Sequence, residues 1–183
     1  LRIISGTYKS RKIHTPSLSD PKGNRLRPTS DRAKETLFDI LQSRVDFTGM
    51  VCLDLFAGTG SLGFECISRG ADSALFVDRS RLSEELIGST SRELGCQENV
   101  EFYRQDVSAF LSNNPDVYFD LIFADPPYDF PEYAEFIQKV LSRNFGVFVF
   151  ESGKDEGVID TGNRFEVIDK KVGFTFFKIF ISI

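Results

Sequence analysis

Two short segments hold the residue types that could carry chemistry. The first is Asp125-Pro-Pro-Tyr128, directly after the apolar run Phe119–Ala124. Prolines fix φ and lack an N–H donor, so Pro126 and Pro127 make a stiff corner whose carbonyls face no competing internal donor. An exocyclic base amine is a poor nucleophile because its lone pair is delocalised into the ring. A carboxylate from Asp125 and the carbonyl of Pro126 can each accept one of its N–H bonds. Held so, the amine aims its lone pair at an electrophilic methyl group, and the same acceptors stabilise the positive charge that develops. The remainder is positioning, since methyl transfer is an in-line displacement. Tyr128 offers a flat face on which an extruded base can stack. The plainer alternative is a strand ending in a proline turn, with Tyr128 as packing.

The second segment is Asp54-Leu-Phe-Ala-Gly58-Thr-Gly60-Ser-Leu-Gly63. Its G-x-G-x-x-G spacing lets backbone approach a ligand without a Cβ in the way. Asp78 stands 20 residues after Gly58, where a carboxylate can bind both hydroxyls of a ribose. A dinucleotide and S-adenosylmethionine both fit this much, and Asp54 separates them. Pyrophosphate wants backbone N–H groups at a helix N-terminus and is repelled by a carboxylate; S-adenosylmethionine carries an ammonium and a sulfonium. The loop therefore reads as a S-adenosylmethionine site, with Asp54, Phe56, Ala57, Gly58 and Gly60 in the turn and Asp78 and Arg79 at the ribose end. Asp106 can accept from an adenine amine beside the Val107 N–H, or it can cap a helix starting at Val107; both readings stand.

These segments need a frame that brings them together. From Met50 onward, strand and helix patterns alternate. Strands are expected at Met50–Phe56, Ala74–Val77, Val100–Arg104, Phe119–Ala124 and Phe145–Phe150, and helices at Ser61–Arg69, Ser80–Leu94, Val107–Ser112 and Glu132–Ser142. Such alternation predicts an open α/β sheet of parallel strands with right-handed crossovers, in which ligands bind beyond the carboxyl ends of the strands. Arg164–Val172 and Phe174–Ile183, split by Gly173, predict an antiparallel hairpin added to that sheet. Ahead of this body, Arg2–His14 reads as a short β-hairpin or two irregular strands, Thr15–Arg27 as a polar loop, and Pro28-Thr-Ser-Asp31 as a helix start capped by Thr29 or Ser30. The division expected is residues 1–45 as a basic extension and 46–183 as the catalytic domain.

The net charge of −5 argues against a polyanion partner, but its distribution argues for one. Residues 1–36 hold nine Lys/Arg against three acids, a net of +6 that leaves −11 for the remainder. The basic arm is expected to dock nucleic acid through phosphates. No apolar run approaches the roughly 20 residues that span a bilayer, and no signal peptide pattern is visible. The chain starts at Leu1 rather than Met, so preceding residues are expected. Cys52, Cys66 and Cys96 lack metal-ligand spacing and are expected to be buried thiols in a reducing compartment. His14, the single histidine, is expected at the surface.

The chain resembles the RsmD family of bacterial 16S ribosomal RNA guanine-N2 methyltransferases. The residues that carry the resemblance are Arg2-Ile-Ile-Ser-Gly6 through Arg11-Lys12, Arg27-Pro-Thr-x-Asp-Arg32-x-x-Glu35-Thr-Leu-Phe38, Asp54-x-Phe-Ala-Gly58-x-Gly60 and Asp125-Pro-Pro-Tyr128. Tyr128 stands where many members carry Phe; either ring can stack. The resemblance implies a Rossmann-like class I methyltransferase fold with a mostly parallel seven-stranded sheet, S-adenosylmethionine as methyl donor and no metal. It implies 16S ribosomal RNA or a small-subunit assembly particle as partner. Arg11, Lys12, Arg27 and Arg32 are the expected RNA contacts. A cytoplasmic monomer is expected. The rivals kept are adenine-N6 methylation of DNA or RNA, methylation of a protein glutamine, and a non-catalytic RNA-binding assembly factor; an NAD-dependent oxidoreductase fits Asp54 poorly.

Overall fold

A computed structural model describes residues 1–16, 30–127, 130, 133–155 and 157–183. The elements run α1 (Asp31–Gln42), β1 (Val51–Leu55), α2 (Ser61–Ser68), β2 (Ser73–Val77), α3 (Arg81–Leu94), β3 (Val100–Tyr103), α4 (Val107–Asn113), β4 (Phe119–Ala124), α5 (Tyr133–Leu141), β5 (Phe145–Ser152), β6 (Phe165–Val172) and β7 (Thr175–Ser182). One seven-stranded sheet forms in the order β3-β2-β1-β4-β5-β7-β6. β1 to β5 are parallel, and β7 inserts antiparallel between β5 and β6. This is the Rossmann-like α/β arrangement, with the C-terminal hairpin, that the sequence predicts. The strand order reverses between β1 and β4, so their crossovers leave to opposite faces and a crevice opens at their carboxyl ends.

Each face of the sheet buries its own core. Leu37, Phe38, Phe64, Phe76, Leu121, Val147 and Ile179 fill one, and Leu53, Phe110, Ile122, Val140, Phe148 and Phe180 fill the other. Alternation along β5 explains the split: Val147 and Val149 point one way, Phe148 and Phe150 the other. Parallel strands covered on both faces are nearly continuous in apolar residues, which is why Phe119–Ala124 is legible as a strand to the residue.

The N-terminal segment forms the short, irregular hairpin expected: Ile3 N–H donates to the Arg11 carbonyl, Ser10 N–H to the Ile3 carbonyl and Ile13 N–H to the Leu1 carbonyl. Arg2 and Lys12 make its antiparallel bridge. Four donors of its first arm and turn go instead to α2: Ile4 and Ser5 N–H to the Glu65 carboxylate, Thr7 N–H to the Ser68 carbonyl and Tyr8 N–H to Ser68 Oγ. Gly6, at φ 79°, permits this contact, since a Cβ there would fall 1.7 Å from the Ser68 carbonyl oxygen. Ser30 caps α1 by accepting from the Ala33 N–H; Thr29 lies outside the described residues. Lys34 points inward from α1 and is fully buried. Its ammonium donates to the Arg2 carbonyl and to Ser61 Oγ and sits 3.7 Å from Glu65, which also takes Arg69. Burial pulls the Lys34 ammonium below its ordinary pKa, against the opposing pull of Glu65 and Asp31. One buried ion cluster thus ties the N-terminal segment, α1 and the start of α2 together, and removing one partner of such a cluster typically costs about 3–5 kcal/mol. Cys52, Cys66 and Cys96 are buried free thiols, and His14 is exposed, as expected.

Candidate active site

The crevice is lined by the turns that follow β1, β2 and β4. After β1, Phe56, Gly58 and Gly60 all take positive φ (58°, 56° and 75°). Two of the three are glycines, for which this costs nothing. Phe56 is held there by its ring, edge-on to Phe130 and Phe136 at 5.4 and 5.5 Å. The loop is further pinned by Ala57 N–H to the Val77 carbonyl and Gly60 N–H to the Ala57 carbonyl. Phe56 therefore presents backbone to the crevice while its side chain clasps the segment beyond the prolines.

Asp54 is buried, and its Oδ2 accepts the Gly63 N–H at 3.0 Å. Burial pushes its carboxyl up to about 8, opposed by that N–H and reinforced by the negative charges of Asp125 and Asp78. Asp78 is half-buried and accepts from Gly58 N–H through Oδ2 (2.9 Å) and from Ser80 N–H through Oδ1 (2.8 Å). Its neighbour Arg79 is exposed. Asp106 caps α4 by accepting the Ala109 N–H, and Val107 is buried behind it. The cap reading of Asp106 is thus realised, and its exposed carboxylate is still accessible from solvent.

Asp125 follows β4 by one residue, and β4 lies beside β1 with Ala124 opposite Leu55. The fold so brings Asp125 next to Asp54 and Asp78, close enough for each to raise the Asp54 carboxyl. Burial pushes the Asp125 carboxyl up to about 7. No described residue donates to that carboxylate. The two proline carbonyls differ as well. That of Pro127 is occupied by Tyr133 Oη at 2.7 Å and Phe130 N–H at 2.9 Å, whereas that of Pro126 accepts from no described residue. Tyr128 lies outside the described residues. Among those described, no group of His, Cys, Asp and Glu is arranged to hold a metal ion.

The expected RNA contacts scatter. Arg32 is exposed in the first turn of α1, two residues from Lys34, which touches Ser61 at the start of α2. Arg11 donates to the Glu93 carbonyl, twelve residues along α3 from Arg81. That is roughly 18 Å down the helix from the crevice end. Lys12 is exposed beside it, and Arg27 is outside the described residues. Sequence reasoning missed Lys34 and Tyr133 as supports. The signal for Lys34 was available: it occupies the apolar stripe of Ala33, Leu37, Phe38 and Leu41, where a solvated lysine does not belong. Tyr133 had no signal beyond its distance from the prolines.

The family model described as conserved hypothetical protein 95 matches residues 1–181. The chain belongs to this family. Among its relatives, the ribosomal RNA small subunit methyltransferase D of Haemophilus influenzae is 32% identical over 98% of this chain and 93% of its own length. The protein of the same name from Escherichia coli K12 is 35% identical over 70% of this chain and 60% of its own. The solved structure of Escherichia coli yhhF, 26% identical, superposes with a TM-score of 0.83, covering 100% of this chain and 97% of the other. The RsmD-like resemblance carried by the four sequence motifs is borne out by this conserved hypothetical protein 95 membership.

Proposed function

We propose that this chain transfers a methyl group from S-adenosylmethionine to the exocyclic N2 amine of a guanine in 16S ribosomal RNA. The observation that carries the reading is the crevice itself. Asp54, Asp78 and Asp125 converge there, and Asp125 and the Pro126 carbonyl keep acceptors that no described group uses. The relatives named ribosomal RNA small subunit methyltransferase D support ribosomal RNA as the acceptor.

The donor set fits a cation. Two of the three carboxyls are pushed above the ordinary carboxylate range, which is the state of an acidic site lacking a positive partner. When bound, S-adenosylmethionine supplies a sulfonium methyl as the electrophile. Asp54, the backbone of Phe56 to Gly60, Asp78 with Arg79, and Asp106 with Val107 are the residues that would hold it. Asp125 and the Pro126 carbonyl each accept one N–H of the amine, Pro127 keeps the corner stiff, and Tyr128 stacks the base. The proton lost from the methylated amine needs no strong base, because that amine is acidic. Arg32, with Arg11, Lys12 and Arg27, neutralises phosphates around the target. The protein works in the cytoplasm as a monomer, its residues 1–45 steadying the RNA and residues 46–183 carrying the chemistry.

Tritiated methyl transfer to ribosomal RNA and to small subunits from cells lacking the protein, followed by nucleoside analysis, tests the reading. N2-methylguanosine is expected, and N6-methyladenosine or unlabelled RNA overturns it. Calorimetry tests the cofactor separately: heat with S-adenosylmethionine and none with NAD is expected.

A further inference from the structure

Beside the crevice, across the C-terminal hairpin, lies a second concavity of about 270 Å³. Four of its nine lining residues are lysines: Lys154, Lys170, Lys171 and Lys178. We propose that this groove binds the RNA strand flanking the target nucleotide; the proposal rests on the RNA-methyltransferase reading above.

Strand register places the groove on the same carboxyl edge as the candidate site. Ser152 at the end of β5 pairs with Phe176, and Phe176 with Lys171. The link to the catalytic corner is direct. The Lys154 ammonium lies 5.4 Å from the centre of the Tyr133 ring, and Tyr133 Oη donates to the Pro127 carbonyl. From β4 to β6 there are three strand intervals, roughly 14 Å at about 4.8 Å each. At roughly 3.4 Å per nucleotide of stacked strand, that accommodates about four nucleotides.

The charges point to a polyanion. Of the acids in the lining, Asp169 is paired with Lys178, and Asp155 Oδ1 accepts the Gly157 N–H. No acid among the described residues pairs with Lys170 or Lys171. Lys171 instead sits 4.8 Å over the ring of Phe176. An ammonium held against an aromatic face offers a phosphate contact and a stacking surface in one place, the combination that single-stranded nucleic acid uses. Beyond residue 36 the chain is net −11, so a basic groove there is not a general property of its surface. Lys178 is almost fully buried and serves the ion pair with Asp169; Lys171, on the same face of the hairpin as Phe176 and Lys178 while Lys170 lies on the other, carries the proposal.

The test is the charge reversal Lys171→Glu, with Lys170→Glu on the opposite face as its control, both exposed positions on an edge strand. Binding of a single-stranded oligoribonucleotide containing one guanine is followed by fluorescence anisotropy across a salt series. In Lys171→Glu affinity is expected to fall severalfold and the slope of log K against log salt to shrink by about 0.7, the loss of one phosphate contact, with Lys170→Glu close to the parent. Methyl transfer to ribosomal RNA should show the loss in KM, with S-adenosylmethionine affinity by calorimetry unchanged. Unaltered RNA affinity and KM in a Lys171→Glu variant that melts like the parent overturns the proposal. So does a defect confined to assembled small subunits with naked RNA unaffected, which assigns the groove to a ribosomal protein. A parent protein that binds S-adenosylmethionine but neither binds nor methylates RNA sinks the underlying reading instead, a result the variants cannot imitate.

Discussion

Four aspartates stand at the carboxyl edge of the sheet, and its two halves use them differently. On the side of β1 to β3, Asp54, Asp78 and Asp106 each hold backbone: Gly63 N–H, the N–H groups of Gly58 and Ser80, and Ala109 N–H. Asp54 and Asp78 brace the glycine turn after β1, and Asp106 starts α4. On the side of β4, Asp125 holds nothing described, and its proline neighbours have no N–H to give. The same residue type at equivalent strand ends is spent as scaffold on one side and kept in reserve on the other. Folding leaves a desolvated acceptor unpaired only where the surroundings over-determine it. Here the clasp of Phe56 on Phe130 and the bond from Tyr133 to Pro127 fix the corner without touching its carboxylate.

The contrast is broken most directly at Asp125. Asp125→Ala is expected to lower methyl transfer about 100- to 1,000-fold, the usual cost of losing one preorganised acceptor, while the melting temperature holds or rises because a desolvated carboxyl is gone. Tritium incorporation and thermal melts on the same preparation check both halves. A variant with full transfer ends the assignment, and one that fails to fold moves Asp125 to the scaffold group. Asp78→Ala should show the opposite pattern. Two backbone N–H groups lose their acceptor, so stability falls by about 1–3 kcal/mol and S-adenosylmethionine affinity drops about tenfold, read by denaturant unfolding and calorimetry. Intact stability with lost affinity would mean that Asp78 serves the ligand alone.

The division between the halves also marks what the sequence could disclose. Parallel strands and their order of appearance were legible because buried strands write themselves as apolar runs such as Leu121–Ala124 and Val147–Phe150. Asp54, Gly58, Gly60 and Asp78 were legible because a tight turn before a helix restricts residue types. Asp106 as a cap followed from its place before Val107. The partners of the N-terminal segment were not legible. Its strand-like pattern was real, and Ile3, Ser10 and Ile13 pair across its arms, but the N–H groups of Ile4, Ser5 and Tyr8 found Glu65 and Ser68 about 60 residues away, and nothing in a local pattern encodes such a choice. Charge counting is blind to burial in a related way. A tally of charge treats Lys34 and Arg32 alike, yet one is fully buried in an ion cluster and the other is exposed. Lys171 escaped notice because the surrounding chain is acidic and the groove exists only once β7 has inserted beside β5.

The smallest expected effect concerns protons and sharpens the contrast most finely. Burial raises the carboxyl of Asp54 to about 8 and that of Asp125 to about 7, whereas in the unfolded chain each titrates at about 4. Between those values the folded protein holds protons that the unfolded chain has released, so stability falls as pH rises. The contribution is complete below about pH 4 and is lost as pH passes through about 7 and then about 8. Without ligand, the protein should therefore melt at a lower temperature at pH 8.5 than at pH 5, and the slope should be shallower in Asp54→Asn and in Asp125→Asn. A bound cation acts in the reverse sense, since it favours both ionised carboxylates. S-adenosylmethionine binding should then expel protons near pH 7 and tighten severalfold as pH rises toward 8.5. Calorimetry in two buffers of different ionisation enthalpy measures that release. No proton release on binding, with an affinity flat between pH 5 and 8.5, would show that the crevice meets its ligand with these acids already ionised, and the distinction between the two groups of carboxylates would then rest on hydrogen bonding alone.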